Sequence, residues 1–432
     1  MNERMQRERQ APRPALKELD GFVGREIAGI EPRPERFMVL KEGDDYAIEQ
    51  KNERVHSDRD IHDFFVFISP SAGSVTRVVE APHWRVISEH GVHAHVEIPS
   101  DSGSSHPVHF YTVNTKGVGY TKISAKGLPF EEYDTWTIKN KESVEDHGYR
   151  VLGFVSSGEN SRGDIMAKSE MLLGRGLRCE LYWAVASVKR LPFRGVMLTV
   201  PELRARGIIS PREDFEPSQA VRLLKMNNRI AEAAQSDSER SRALFERAFQ
   251  IFNLESQDTR RSMINLSIGN PEHEEAFFAE FYKSMGRNMA VLLNDGFAHG
   301  AMHSANVTLA AEIVDIGTIS HWSEEDDAAK IRKYSGVRRE SLKDMRDMCY
   351  GLRMLIRAGE RAGLHWGDAE QLRRAFFEGF DQVFNPEKIA TEEAEPEHTH
   401  LWMEKIFDVV IVKGGSLPPL LHNEVEDWDI QI

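Results

Sequence analysis

The feature that most constrains this chain is a change of hydrophobic period near its middle. Between residues 76 and 200 the segments HWRVISEHGVHAHVEIP, HPVHFYTVNTKG, DTWTIKNK, YRVLGFVSS and RCELYWAVASV carry β-branched and aromatic residues between Gly, Ser, Asp and Pro breaks. That pattern predicts an antiparallel sheet, interrupted by one helix at about 164–174 (DIMAKSEMLLG). After Pro217 the apolar residues fall three and four apart. SQAVRLLKMNNRIAEAA, SERSRALFERAFQIF, EHEEAFFAEFYKSMGRNMAVLL, SLKDMRDMCYGLRMLIRAGERAG and EQLRRAFFEGFDQVF are read as helices. The acidic TEEAEPEH (391–398) is read as an exposed loop. A sheet-rich lobe followed by a helical lobe is an α+β arrangement, and the junction between them is a natural ligand cleft. The 432 residues suit two or three packed units. The expected division is an N-terminal extension (1–75), a strand-rich N-lobe (76–217) and a helical C-lobe (218–432).

Charge and cysteine usage narrow the function classes. A net charge of −14 argues against a general nucleic-acid binder, which would show a basic surface. The two cysteines, Cys179 and Cys349, are too few for a disulfide framework or a four-thiolate zinc site. The opening residues lack the apolar stretch of a secretory signal, and no run approaches a membrane span. A cytoplasmic protein with no membrane partner is the expectation.

The chemistry concentrates in FAHGAMHSANVTLAAEIVDIGTISHW (297–322), which reads as a polar loop, a short apolar strand and a second polar turn. Asn306 stands nine residues before Asp315. An amide oxygen and a carboxylate brought together across a strand pair are hard ligands suited to Mg²⁺. The plain alternative is a turn–strand–turn with two surface polar residues. Upstream, Lys116 opens a Lys-Gly-x-Gly turn with Gly117 and Gly119. There the glycines allow close backbone approach and the ammonium supplies a point charge; an ordinary hairpin would look the same. Arg222 and Arg229 lie seven residues apart. On a helix that places both on one face, as either a phosphate clamp or a solvated basic stripe.

Taken in order, these three stretches resemble the selenoprotein O (SelO) family. Residues 299–306 with Asp315 are similar to its HGVMNTDN followed by a strand and IDYG. His299, Gly300, Met302, Asn306 and Asp315 match. VNTKGVGYTK (113–122) looks like LQLKGAGPTP, and AVRLLKMNNRI (220–230) resembles VRVA-SHIRFG. The matches cover roughly half the chain. The resemblance implies a two-lobed, protein-kinase-like fold that binds ATP with Mg²⁺ or Mn²⁺ and moves AMP to a hydroxyl of an unknown protein or small-molecule acceptor. It makes Asn306 and Asp315 metal ligands, Lys116 a phosphate contact, and Arg222 and Arg229 a clamp on the phosphates.

The chain departs from that family where a base is expected. Ala305 replaces the acid before the metal-binding Asn, and Ala301 occupies the position where ordinary kinases carry theirs. His303 lies between them as a candidate base, or as a loop residue capping a backbone group. Glu170 or Asp164 is left as the acid to pair with Lys116. GENSRGD (158–164) replaces the glycine-rich turn, with Arg162 as a further phosphate contact. About twenty extra residues follow Lys116 and predict a hairpin around 130–155. Phosphoryl transfer on the same site, or a catalytically silent nucleotide-binding module, are the alternative functions. His93, His95 and Glu97 share one strand face, which is read as an exposed face rather than a metal site. Gly-x-Ser-x-Gly and HExxH signals are absent.

Overall fold

A computed structural model describes residues 37–68, 78–80, 86–99, 105–116, 155–156, 165–193, 196–206, 217–259, 265–324, 333–334, 337–389 and 395–417. The order of elements is that of the expected α+β chain, with strands first and helices after. The strands begin with β1 (Phe37–Val39), β2 (Tyr46–Lys51), β3 (Val55–Ser57), β4 (Val66–Ile68) and β5 (Val78–Glu80). Long strands β6 (Val86–Pro99) and β7 (Ser105–Lys116) follow, then the short β8 (Val155–Ser156) and helix α1 (Ile165–Gly174). After α1 come β9 (Leu181–Val188), β10 (Arg190–Phe193), β11 (Val196–Thr199), helix α2 (Val200–Ala205) and β12 (Pro217–Leu224). Eight strands form one antiparallel sheet in the order β2-β9-β12-β7-β6-β3, with β5 on β6 and β8 on β12. β2 lies within the expected 1–75 extension yet pairs with β9, so that segment contributes to the main sheet.

One expected helix is a strand. Residues 218–224, the start of SQAVRLLKMNNRIAEAA, form β12, flanked by β7 and β9 and buried at every position. A central strand covered on both faces carries a continuous apolar run, which periodicity alone does not separate from a buried helix. Only Ile230–Gln235 (α3) is helical, so Arg222 and Arg229 do not share a helix face. The sheet therefore runs past the expected boundary at 217, and residues 225–229 connect it to the helices.

The C-lobe helices follow their apolar spacing. α4 (Ser238–Asp258) turns Leu244, Phe245, Ala248, Phe249, Ile251 and Phe252 inward, and Asp237 caps it by accepting the Arg240 N–H. α5 (Pro271–Asn294) starts with Asn270 as cap and Pro at its first position. Its Phe277 ring stacks on Phe249 at 4.4 Å. α6 (Arg339–Arg361), α7 (Ala369–Asp381) and α8 (Pro396–Phe407) complete the lobe. α8 overlaps the expected acidic loop. Pro396 suits a first helical turn because its missing N–H would have had no partner there. α5 and α7 approach through glycines: a Cβ on Gly379 would lie 2.0 Å from the Lys283 carbonyl, and one on Gly286 2.1 Å from that of Phe376. Among the described residues, no helix is long and apolar enough to cross a membrane. The His face is a cross-strand stack, with His95 centred 5.1 Å from His56 and 5.6 Å from His109. Among the described residues, no group of three His, Cys, Asp or Glu side chains could hold a metal.

Candidate functional site

Strand register sets the N-lobe half of the site. In the β12–β7 ladder Arg222 lies opposite Asn114 and Ala220 opposite Lys116. Alternation then puts Asn114, Lys116 and Arg222 on one face of the sheet. Asn114 is fully buried, and its amide donates to Asn227 Oδ1 at 2.8 Å while its Oδ1 accepts Arg222 Nε at 3.0 Å.

The C-lobe half is a closed loop. β13 (Phe297–Ala298) pairs with β14 (Ser320–His321), joining the two ends of the segment. His299 is buried and fixes it internally, with Nε2 2.8 Å from the Val314 carbonyl and Nδ1 3.2 Å from Thr318 Oγ1. Asp344 of α6 accepts the backbone N–H groups of His299 at 2.6 Å, Gly300 at 3.1 Å and Met302 at 3.3 Å. Burial pushes the Asp344 carboxyl up, opposed by His299, by the N–H groups of Gly300 and His299, and by Lys343. Val307 bridges Ile313, and Val314 N–H donates to the Asn306 carbonyl at 3.0 Å, so Asn306 and Asp315 are near neighbours across a tight hairpin. Asp315 itself sits at φ +59, in left-handed conformation.

These halves meet at the Asp315 carboxylate. Lys116 Nζ lies 3.3 Å from Asp315 Oδ1, and Arg222 Nη1 lies 3.4 Å from the same oxygen. Arg222 Nη1 also donates to Glu180 Oε2 at 2.7 Å, and Glu180 Oε1 accepts the Ile316 N–H at 3.2 Å. Burial pulls the Arg222 guanidinium down, but Glu180, Tyr182 and Asp315 outweigh it and hold it above its usual range. Arg229, the N-cap of α3, is buried beside this cluster. Burial, and then the neighbouring Arg222, pull its guanidinium below the ordinary range, and its Nη1 has no hydrogen-bond partner.

Asn306 carries the complementary orphan. Its Nδ2 donates to the Ala301 carbonyl at 3.0 Å, while its buried Oδ1 has no hydrogen-bond partner. Native proteins rarely leave such groups unpaired. A hard oxygen acceptor next to a carboxylate fits Mg²⁺ or Mn²⁺, and an unpaired guanidinium donor fits a phosphate oxygen. Two protein oxygens suit a cation that takes its remaining ligands from nucleotide phosphate and water.

The other expected site residues divide. Glu170 of α1 accepts the Asn52 amide at 2.7 Å and pairs with Arg54, while Lys116 pairs with Asp315. Gly117, Gly119, Arg162 and Asp164, and the hairpin expected at 130–155 short of β8, lie outside the described residues. His303 Nδ1 accepts the Ala305 N–H at 3.3 Å, the loop-capping arrangement.

Two groups of buried charges escaped the sequence reading. Glu180 is a single acid inside the apolar run RCELYWAVASV, a signal for a buried ion pair. Behind the site, Arg178 forms a two-pronged pair with Glu255, both contacts at 2.6 Å, and Lys225 reaches Glu255 at 2.8 Å. Glu312 accepts the backbone N–H groups of Lys225 at 2.8 Å and Met226 at 3.1 Å, clasping the connector between the lobes.

No protein-family model matches the chain, and no curated protein matches it. Among solved structures, a rhoptry antigen kinase domain of Toxoplasma gondii aligns over 76% of this chain and 84% of its own, at 10% identity and a TM-score of 0.23. ROP2 of Toxoplasma gondii, described as a virulence factor with a protein-kinase fold and no enzymatic activity, aligns over 77% and 84%, at 7% identity and a TM-score of 0.27. Scores this low carry no argument for this chain, so its architecture rests on its own strand order and contacts.

Proposed function

We propose that this chain is an ATP-dependent nucleotidyltransferase on a kinase-like fold, a divergent relative of the SelO family. The observation that carries the reading is the pair of orphans flanking Asp315. Asn306 Oδ1 offers a buried acceptor to a cation, and Arg229 Nη1 offers a buried donor to a phosphate. In this reading Asp315 and Asn306 hold Mg²⁺ or Mn²⁺, and Lys116 and Arg229 engage the triphosphate. When bound, the cation supplies neutralisation of phosphate charge. The acceptor hydroxyl oxygen would form a bond to the α-phosphorus and give its proton to water, while the bond from the α-phosphorus to the bridging oxygen breaks and pyrophosphate leaves. Positioning and charge stabilisation carry most of such a transfer, so the alanines at 301 and 305 are compatible with it.

Those alanines also support a second reading, a nucleotide-binding module without catalysis. ATP labelled separately at the α- and γ-phosphates, incubated with Mn²⁺ or Mg²⁺ beside Asp315→Ala, separates the cases. Transfer of α-label that the variant loses supports nucleotidyl transfer, and γ-label alone supports a kinase. Binding without transfer of either label supports the silent module, and no ATP binding at all removes the proposal.

A further inference from the structure

The sequence resemblance treats Arg222 and Arg229 as equivalent arms of one phosphate clamp, but their surroundings are different. Arg222 is 2% exposed, and its guanidinium is committed within the chain: Nε to Asn114, and Nη1 to Glu180 and Asp315. Arg229 keeps a buried donor with no partner. Resting on the metal-site reading above, we infer that Glu180 and Arg222 form a positioning pair that sets the Asp315 carboxylate for the cation, and that Arg229 is the arginine that grips phosphate.

The geometry is a two-armed bracket. One oxygen of Glu180 accepts Arg222 Nη1, which extends to Asp315 Oδ1 and orients the carboxylate from its side-chain end. The other oxygen accepts the N–H of Ile316, the residue directly after Asp315, and so fixes the peptide plane that follows it. That second arm matters because Asp315 is left-handed, a conformation unfavourable for a non-glycine residue that persists only where the surroundings determine it. Glu180 is fully buried, so both arms act without competition from water.

A glutamine at 180 keeps the shape and breaks the bracket. Both arms of Glu180 accept from donors, whereas an amide has one accepting oxygen and one donating nitrogen. One arm therefore meets donor against donor. Asp315 then loses either its side-chain anchor or its backbone anchor.

The test is Mn²⁺ binding, alone and in the presence of ATP, followed by electron paramagnetic resonance, with ATP binding in EDTA measured in parallel. Wild type is compared with Glu180→Gln, Asp315→Asn and Arg229→Gln. A double variant, Glu180→Leu with Arg222→Met, removes the buried pair as a unit, an exchange that proteins often tolerate, and carries the test where Glu180→Gln does not fold. Disrupting a group that orients a metal ligand weakens metal affinity about tenfold or more, and that loss is expected for Glu180→Gln and the double variant. Their ATP binding in EDTA is expected to stay near wild type, while Arg229→Gln loses ATP binding and binds Mn²⁺ alone normally. Wild-type Mn²⁺ binding in both bracket variants, with binding lost in Asp315→Asn, overturns the positioning role and leaves the metal site standing. Loss of metal-free ATP binding in the bracket variants equal to that of Arg229→Gln makes Arg222 a phosphate contact and also overturns it. Wild-type Mn²⁺ binding by Asp315→Asn removes the metal site itself, and the bracket with it.

Discussion

Glu312→Gln should reverse part of the pH dependence of stability. Glu312 is fully buried, and burial raises its carboxyl from an ordinary 4.5 to about 7, even though Lys225, Arg178 and the N–H groups of Lys225 and Met226 pull the other way. Below about pH 4.5 the group is protonated in both the folded and unfolded chain, and it has no effect on the slope. Between 4.5 and about 7 the unfolded chain has released the proton while the folded one retains it. The folded state binds more protons, so stability falls as pH rises. A shift of this size, at 1.4 kcal/mol per unit, removes about 3 kcal/mol by the time pH passes the folded value. Glutamine matches the neutral acid in shape and does not titrate, so it is free of this loss. Urea denaturation of both proteins from pH 5 to pH 8 isolates the effect, because every other titrating group cancels in the difference. The variant is expected to gain about 2.5 kcal/mol on wild type across that range, since part of the loss is already present at pH 5. A flat difference would refute the burial argument. A variant that loses ground as pH rises would show that the ionised carboxylate, held by the connector N–H groups and the two cations, is the favoured form.

Two further outcomes follow from helix packing and from the charge pairs at Asp315. Gly379→Ala gains up to about 1 kcal/mol of helix propensity but places a methyl against the Lys283 carbonyl of the neighbouring helix, and overpacking of about 1–3 kcal/mol outweighs the gain; thermal melting should show a lower midpoint, and an unchanged or raised one would mean that α5 and α7 separate freely. Lys116→Met removes one cation from Asp315, so Mn²⁺ binding without nucleotide should tighten a few-fold while ATP binding weakens about tenfold; calorimetric titrations of each ligand check both directions, and a loss of Mn²⁺ binding would mean that the ammonium orients Asp315 instead of competing for it.

The sequence made the lobe order legible because period-two and period-3.6 patterns separate cleanly on either side of the sheet. It made Asn306 and Asp315 legible because nine residues span a tight hairpin, a local relation. It misread 218–224 because a strand covered on both faces loses its alternation, and AVRLL is as apolar as a buried helix would be. Pro396 opens α8 inside the stretch read as an exposed acidic loop, where the charge run masks the helix start. The division of labour between Arg222 and Arg229 was not readable at all. It depends on Glu180, 42 residues before Arg222 along the chain, and on Asn114, 108 residues before it. Neither distance leaves a local trace. Of the two acids weighed for Lys116, Asp164 lies outside the described residues, and Glu170 is engaged by Asn52 and Arg54, from a segment set apart as an extension.

Asp315 Oδ1 is shared by two cations, and the surroundings decide which of them can exchange it for a phosphate. Arg222 is held at 3% side-chain exposure by a carboxylate and an amide on a central strand, so moving it would strand Glu180 as a buried, unpaired charge. That costs several kcal/mol, more than a single phosphate contact returns. Lys116 stands at the last residue of β7 with 12% exposure, on a flexible four-carbon stem, and the Asp315 side chain it meets keeps 28% exposure. Exchange therefore falls to Lys116. In the proposed complex, a cation on Asp315 and Asn306 would displace the Lys116 ammonium toward the incoming phosphates, and Arg222 would stay behind as the fixed edge of the site.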